Sequence, residues 1–389
     1  MRLPAQLAFT LLFPLAASAA TPCVDTCRTM VTDGNVLSWQ GQPQKALEKF
    51  QAAMAAFPDA TGPLLAASTM LLDLSWKTAD GPEAARLHGK AESLARQALR
   101  LAPGEAMAQD VLRQILDGPP VASHKADPAA VEALRQAEIL FAQHRMDEAR
   151  AQYEVASTRD PLWAFAWVGA GDTYYVQQDW VHAEERFRRA TDIDPQNAQA
   201  WRYLSDSLLK QGKRDAAEQA MYAAISANPA DRNNWPHLAS LRVQAHLPLE
   251  HLNLHRDSTV LQSADGKYAV NLDVRDADPH ANQDVTFALL LAANEIKIRL
   301  AAPGKPQYDI ELEAWRLALR GIDASNAKSG ENLHDPALLH MQAMARDGQL
   351  EPALLILTYR PAYRAPLDAW LAAHPGGVKA FIDRYGLQP

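Results

Sequence analysis

The chain has 389 residues, of which 48% are hydrophobic and 22% are charged. This balance supplies enough apolar side chains for a sizeable core and excludes the disordered and collagen-like classes. With 38 basic and 46 acidic residues the formal net charge is -8. That charge argues against nucleic acid as the main partner, because such binding depends on Lys and Arg side chains placed on phosphates.

Residues 1–20 are predicted to be a signal peptide. Arg2 precedes a mainly apolar stretch that Pro14 interrupts and that is too short to span a bilayer. Small residues then offer a cleavage site after Ala19 or Ala20. An uncleaved membrane anchor is the alternative interpretation. The pattern predicts a periplasmic or secreted protein.

The chain has two cysteines, Cys23 and Cys27, just after the proposed cleavage site. They match no CxxC or zinc-ligand pattern, so redox catalysis, haem attachment and structural zinc lack their usual signatures. A disulfide at this spacing strains a regular helix but becomes feasible if Cys23 precedes the helix. We predict a disulfide that pins the mature N-terminus. A lipid-modified Cys23 is the alternative, although Pro22 is a poor match to a lipoprotein signal.

Residues 21–118 contain two copies of a pattern of three small or apolar residues at helical spacing followed by a proline. This pattern is typical of the second helix of a helical hairpin. The copies are Ala46, Phe50, Ala53 and Pro58, and then Ala91, Ala95, Ala98 and Pro103. The second copy comes later than a regular repeat would, so an insertion is expected around residues 77–81. Prolines then indicate a linker over residues 119–128.

Residues 129–231 repeat with a period of 34 residues. The period is carried by columns of prolines, tryptophans, alanines and large apolar residues: Pro161, Pro195 and Pro229; Trp167, Trp201 and Trp235; Ala149, Ala183 and Ala217; Ala156, Ala190 and Ala224; Tyr153, Phe187 and Met221. Three consecutive copies reach the minimum that a stable array of stacked units needs.

The copy over residues 164–197 resembles the tetratricopeptide repeat (TPR), which has the same length and carries a Trp, a small pair, a Tyr, an Ala, a Phe, an Ala and a Pro in that order. The matching residues are Trp167, Ala170, Gly171, Tyr174, Ala183, Phe187, Ala190 and Pro195. Small residues let two antiparallel helices approach closely, and the proline stops the second helix. The resemblance is strong over residues 130–231 and weaker over residues 27–103.

In a TPR superhelix the first helix of each repeat lines a concave groove, and the period identifies the corresponding positions. They form three columns: Glu138, Asp172 and Asp206; Phe141, Tyr175 and Leu209; Leu134, Val168 and Arg202. Carboxylates beside apolar side chains suit an extended or helical peptide that carries Lys or Arg. TPR domains that bind an acidic peptide C-terminus carry Asn and Lys at such positions, so that partner is disfavoured. The alternative is a merely solvated helix face.

The rest of the chain breaks the period. Residues 232–250 are predicted to form a capping helix, and residues 251–389 a mostly helical domain. One β-hairpin is expected near residues 258–274, with a two-residue turn at Asp265 and Gly266. Helices are predicted at residues 284–300, 308–319, 336–346, 350–360 and 365–385. The predicted fold class is all-α, a TPR helical-hairpin solenoid followed by this region.

Motifs for catalysis or metal binding are scarce. GxSxG, P-loop, GxGxxG and HExxH patterns do not occur. His246, His251 and His255, with Glu250, form a histidine cluster, but Pro248 interrupts it and surface histidines are commoner than ligands. The prediction is therefore no catalytic residue, no metal and no cofactor.

These features together predict a non-catalytic scaffold or adaptor of the bacterial cell envelope, which binds a basic or apolar peptide or protein in the groove. No nucleic-acid partner and no integral membrane span are expected. Two alternatives remain at this point. One is an enzyme with a catalytic C-terminal domain and the repeats as a recruiting arm, and the other is a structural module for oligomerisation.

Overall fold

The computed structural model describes residues 23, 25–39, 41–78, 80–102, 105–117, 124–231, 233–254, 258–262, 267–272, 282–330 and 332–389. The predicted signal peptide, the first half of the predicted linker, the predicted hairpin turn and His255 lie outside these residues. The chain divides into two compact units, residues 1–120 with 258–275 and residues 121–257 with 276–389. The described parts are mainly helical with one small antiparallel hairpin, so the predicted all-α fold class is confirmed.

The N-terminal unit is built from helical hairpins. Its helices are α1 (Asp25–Trp39), α2 (Pro43–Ala56), α3 (Thr61–Lys77), α4 (Gly81–Leu101) and α5 (Ala106–Asp117). Helix α1 packs on α2, and α3 on α4. The expected insertion lengthens the second hairpin, since α3 has 17 residues and α4 has 21.

The two cysteines lie at the start of the first hairpin. Cys27 is buried in the first turn of α1, and Cys23 lies before the helix. Their sulfur atoms are joined, with the two Cα atoms 5.2 Å apart. Cys23 packs close to Gly62 of α3, where an added Cβ would lie 3.3 Å from its Sγ. The start of α1 is thereby held against α3. Whether the exported protein carries this bond stays a prediction.

The hairpin of this unit pairs Ser258–Gln262 with Tyr268–Leu272 in antiparallel register. Gln262 lies opposite Tyr268, so the pairing is centred on residue 265. The predicted hairpin is confirmed over these strands, and its predicted turn at residues 265 and 266 lies outside the described residues. Register depends on how the strand faces pack as well as on the turn residues.

The C-terminal unit begins with a run of helices of nearly equal length. They are α6 (Pro128–Ala142), α7 (Met146–Arg159), α8 (Ala164–Val176), α9 (Trp180–Ile193), α10 (Ala198–Lys210), α11 (Arg214–Ala227) and α12 (Asn234–Gln244). They pair as α6 with α7, α8 with α9 and α10 with α11. Asp127 starts the series by accepting hydrogen bonds from the backbone N–H groups of Ala129 and Ala130, which caps α6.

The repeating tryptophans and prolines are joined by hydrogen bonds. The indole Nε1–H of each tryptophan donates to the carbonyl oxygen of the proline six residues earlier: Trp167 to Pro161 at 3.3 Å, Trp201 to Pro195 at 2.9 Å and Trp235 to Pro229 at 2.9 Å. Each bond fixes the turn that leads from one hairpin to the next. The tryptophan column and the proline column therefore repeat with the same 34-residue period.

Glycine lets the helices within the array approach closely. A Cβ at Gly171 of α8 would lie 2.5 Å from the ring of Phe187 in α9. One at Gly169 would lie 2.2 Å from the ring of Tyr153 in α7, in the preceding hairpin. In the N-terminal unit, a Cβ at Gly34 would likewise lie 2.4 Å from the ring of Phe50. This shared geometry supports the weaker TPR resemblance of that first hairpin.

The remaining helices are α13 (Asn282–Ala301), α14 (Gln307–Ser329), α15 (Pro336–Arg346), α16 (Leu350–Leu357), α17 (Arg364–Ala373) and α18 (Gly377–Tyr385), with a 3-10 turn at Pro361–Tyr363. The single helix predicted over residues 365–385 is wrong. Pro375 and Gly376 divide it, and Gly376 has a φ of 73°, in the left-handed region. Helix α16 ends at Leu357, three residues before the predicted end at residue 360. Pro361 disfavours helical backbone at the residue before it.

One hydrophobic core joins the end of the array to these helices. It contains Met221 and Ile225 of α11, Trp235 and Leu238 of α12, and many residues from α13 to α18. Helix α12 therefore buries Trp235, Leu238 and Leu241 in a core shared with later helices, while His237, Ser240 and Gln244 stay exposed. Next to it, Glu250–His251 pairs in parallel with Leu387–Gln388, which fastens the last residues of the chain to the segment after α12.

Candidate functional site

The first helices of the three repeats are α6, α8 and α10. We call the solvent-facing side that these three helices share the first-helix wall. Helix α6 contacts α8, and α10 contacts α12. Contact between first helices of successive hairpins places them along one side of the array. The columns predicted from the period can therefore be compared side by side.

Glu138 is the first carboxylate of the predicted column Glu138, Asp172 and Asp206. Its side chain is exposed and accepts a hydrogen bond from a tyrosine. The hydroxyl of Tyr153 donates a hydrogen bond of 2.7 Å to Glu138 Oε1. Burial, followed by this hydrogen bond, raises the pKa of Tyr153, so the phenol stays protonated and remains a donor. The charge of Asp172 also contributes to that shift, which places Asp172 near the same hydroxyl.

Asp172 is half-buried between its neighbours on the wall. Burial is the main cause that raises its pKa to about 7, and the negative charge of Glu138 contributes to the same shift. In the part of the chain that the structure describes, no hydrogen bond or ion pair holds this carboxylate. Asp172 is thus a desolvated carboxylate with a like charge beside it and without a cation.

Asp206 differs because cations lie near it. Burial raises its pKa, while the charges of His237, Arg202 and Lys210 oppose the shift. His237 Nε2 lies 3.9 Å from Asp206 Oδ1. Helix α12 thus supplies a partial counter-charge at this end of the row, and the least compensated carboxylate is the central one.

The third predicted column lies inside the wall. Val168 is 4% exposed and Arg202 is 8% exposed. The guanidinium of Arg202 donates to Asp231 at 2.9 Å and to Asn234 at 3.0 Å, so it holds α10 to the start of α12. Leu134 is half-buried and packs beside Tyr153. These contacts give the column a packing role.

The second predicted column is partly open. Phe141 is half-buried and packs against the cluster around Tyr153. Tyr175 is half-buried, and its ring meets the edge of Trp180 with centroids 4.9 Å apart. Leu209 is 38% exposed. The structure thus brings the first two columns together on the wall, with the carboxylates beside apolar side chains.

Sequence reasoning missed four exposed apolar residues on the same helices, one of which is Ile139 of α6, 41% exposed. Val131 of α6 is 44% exposed, Phe165 of α8 is 53% exposed and Val176 of α8 is 50% exposed. Val131 and Phe165 stand one 34-residue period apart, so the signal was present in the sequence. It was overlooked because apolar residues early in a helix resemble core positions.

The histidine cluster does not form a metal site in the described part of the chain. His251 Nδ1 lies 3.1 Å from the Pro389 carbonyl oxygen, and its Nε2 lies 3.2 Å from Gln388 Nε2. Among the described residues, no group of three or more His, Cys, Asp or Glu side chains could hold a metal ion. Within the same residues, no helix has the length and apolar character to cross a membrane.

Two overlapping segments, residues 134–198 and 168–232, match the tetratricopeptide repeat family. The offset between the two matches is one repeat. The array of hairpins is therefore a TPR solenoid, and residues 134–232 belong to the TPR family. The match ends before the C-terminal third of the chain, which has no family match.

Several solved structures of TPR proteins match part of the chain at low identity and low TM-score. The first TPR of Spaghetti (RPAP3) bound to HSP90 peptide SRMEEVD is 15% identical, with 32% of this chain and 99% of that one covered and a TM-score of 0.30. The Sgt2 TPR domain from Aspergillus fumigatus is 19% identical, with 33% and 85% covered and a TM-score of 0.30. A thermophilic TPR protein of Thermus thermophilus is 18% identical, with 56% and 99% covered and a TM-score of 0.26. No curated protein matches the chain.

Proposed function

We propose that this protein is a non-catalytic adaptor of the bacterial cell envelope that holds a protein or peptide on the first-helix wall. Helical-repeat solenoids use such extended surfaces for binding. The observation that carries the proposal is Asp172, a half-buried carboxylate beside Glu138 with no compensating cation among the described residues. A partner that brings a Lys or Arg side chain to Asp172 would supply the missing counter-charge.

The apolar side chains on the wall support the same function. Val131, Phe165 and Val176 are about half exposed on the helices that carry the carboxylates. Interfaces combine apolar and aromatic contact area with a few placed charges, and this combination is present here. A basic or apolar partner therefore fits the surface better than an acidic one.

The test is charge reversal on the wall. Full-length protein with Asp172→Lys and Asp206→Lys is expressed in the native envelope, crosslinked and recovered by an affinity tag, and its partners are quantified by mass spectrometry. Recovery of the main partner is expected to fall about tenfold or more, because a lost ion pair is replaced by like-charge repulsion.

A matched control carries the same change in net charge elsewhere. Asp192→Lys with Asp215→Lys alters two exposed carboxylates on the second helices α9 and α11. This variant should recover the partner like the wild type. Equal recovery by the wall variant, with an unchanged circular dichroism spectrum, would reject the proposal.

Export is the second part of the proposal. It is supported by the signal-like pattern of residues 1–20 and by the joined sulfur atoms of Cys23 and Cys27, since disulfides persist in oxidising compartments. Protein purified from the periplasm or the medium should begin at Ala20 or Thr21, and its intact mass should lack the two thiol hydrogens. A cytoplasmic location with a retained N-terminus, or a lipid adduct on Cys23, would contradict it.

A further inference from the structure

Exposed apolar residues stand at the N-terminal ends of α6 and α8, two helices of the wall that contact each other. Val131 lies near the start of α6, and Phe165 lies near the start of α8. The ring of Trp163, which is half-buried against Ala130 and Ala133, lies 6.4 Å from the ring of Phe165. We call Val131, Trp163 and Phe165 the aromatic patch.

The aromatic patch is limited to the first two repeats. At the corresponding position of the third repeat stands Gln199, whose amide donates to the hydroxyl of Tyr203 at 3.0 Å. The same two repeats carry Glu138 and Asp172, while the third carries Asp206 with His237 nearby. The carboxylate that lacks a nearby cation in the described residues, Asp172, and the aromatic patch therefore lie in the same two repeats.

The spacing between the two features follows from helix geometry. Phe165 and Asp172 are seven residues apart on α8, which is close to two turns. They share one face of the helix and are about 10 Å apart along its axis, at 1.5 Å per residue. A ligand that touches both must match this separation.

The geometry points to a partner segment that carries an apolar side chain and a Lys or Arg side chain about 10 Å apart, the first seated on the aromatic patch and the second at Asp172. This inference rests on the proposed function and adds the chemistry of the partner. Charge complementarity determines the occupant: the patch alone would accept any apolar group, and Asp172 with Glu138 selects a cation beside it. In a polyproline II segment, which has three residues per turn, the two side chains are three residues apart, and in an α-helix they are seven apart.

A peptide library on phage tests the inference. A library of random 12-residue peptides is selected on immobilised full-length protein, and enriched peptides are synthesised and their affinities measured by fluorescence anisotropy. Enriched sequences are expected to pair a Leu, Met or aromatic residue with Lys or Arg at a spacing of three or seven. Phe165→Ala should weaken their binding at least about fivefold, as the loss of a buried aromatic anchor typically does.

Val181→Ala is the matched control. Val181 is 64% exposed on the second helix α9, so the variant removes an equally accessible apolar side chain away from the wall and should bind like the wild type. Circular dichroism of both variants checks that the helices are intact.

The outcomes separate this inference from the proposed function. Basic peptides that bind through Asp172 but ignore Phe165→Ala would overturn the inference and leave the adaptor proposal standing. Enrichment of acidic peptides would overturn both, and so would a selection that yields no peptide bound by the wall.

Discussion

Among the carboxylates of the first-helix wall, Asp172 differs most from an ordinary aspartate in its pKa. Burial raises the pKa of its carboxyl to about 7, and no cation compensates the charge in the described residues. Between about pH 4 and pH 7 the folded protein therefore binds a proton at this site that the unfolded chain does not bind. The fold is favoured in the protonated state and loses that contribution as the pH rises.

Replacing Asp172 by Asn should consequently stabilise the protein at pH 8 by roughly 2 kcal/mol, and the gain should vanish near pH 4. Three pKa units correspond to about 4 kcal/mol, and half of that is taken here because the half-buried carboxylate is still reached by water. Urea unfolding of the wild type and the variant at both pH values measures the difference.

Asp192→Asn serves as the comparison, because Asp192 is exposed on α9. Its effect should be small at both pH values. If Asp172→Asn is equally neutral at pH 8, the carboxylate is solvated and the shift does not exist. A carboxyl carbon titration by NMR would then place the pKa of Asp172 near that of an ordinary aspartate.

At the scale of helices, the array depends on glycine positions that bring two backbones together. The ring of Phe187 is fully buried against Gly171, where an added Cβ would lie 2.5 Å from the ring. The ring has no room to move away. A methyl group there must push α8 and α9 apart.

Gly171→Ala is therefore expected to destabilise the fold by about 2 kcal/mol, since overpacking outweighs the better helix propensity of alanine. The opposite sign is expected for Gly89→Ala in α4, because nothing lies within 4 Å of the added Cβ. That variant should gain up to about 1 kcal/mol. Chemical denaturation of both variants tests the pair, and destabilisation by both would contradict the packing argument.

For the whole molecule, the end of the array is covered by the C-terminal helices. Trp235, Leu238 and Leu241 of α12 are each at most 5% exposed, in a core shared with α13 to α18. Arg242 is also buried, and it donates to the hydroxyl of Tyr222 at 2.7 Å and to Asp383 at 2.5 Å. The last repeat therefore depends on residues far along the chain.

A chain that ends at residue 245 should accordingly lose stability on the order of 5 kcal/mol, because three large apolar side chains lose their cover. It should melt at lower temperature and aggregate, as scanning calorimetry and light scattering would detect. Co-expression of residues 246–389 should restore it. An unchanged melting temperature of the shortened chain would show that the repeats end in a self-sufficient cap.

The sequence by itself determined the repeats. The 34-residue period predicts three hairpins because each helix of a solenoid packs on its own partner and on the next repeat, so the contacts are local and recur in the residue types. It also predicted that Asp172, Asp206 and the other residues of the columns line a groove. The sequence could not show that Arg202 is buried and is not an open groove residue. Its guanidinium is held inside the wall by tertiary contacts with Asp231 and Asn234.

The end of the array, and the lack of a counter-charge at Asp172 among the described residues, follow from tertiary contacts. The shared core of α12 with α13 to α18 and the pairing of Glu250–His251 with Leu387–Gln388 join segments far apart in the chain. Such contacts occur once and leave no period to read. The state of Asp172 likewise depends on burial and on neighbours from other helices, which a residue's own position in the sequence does not specify.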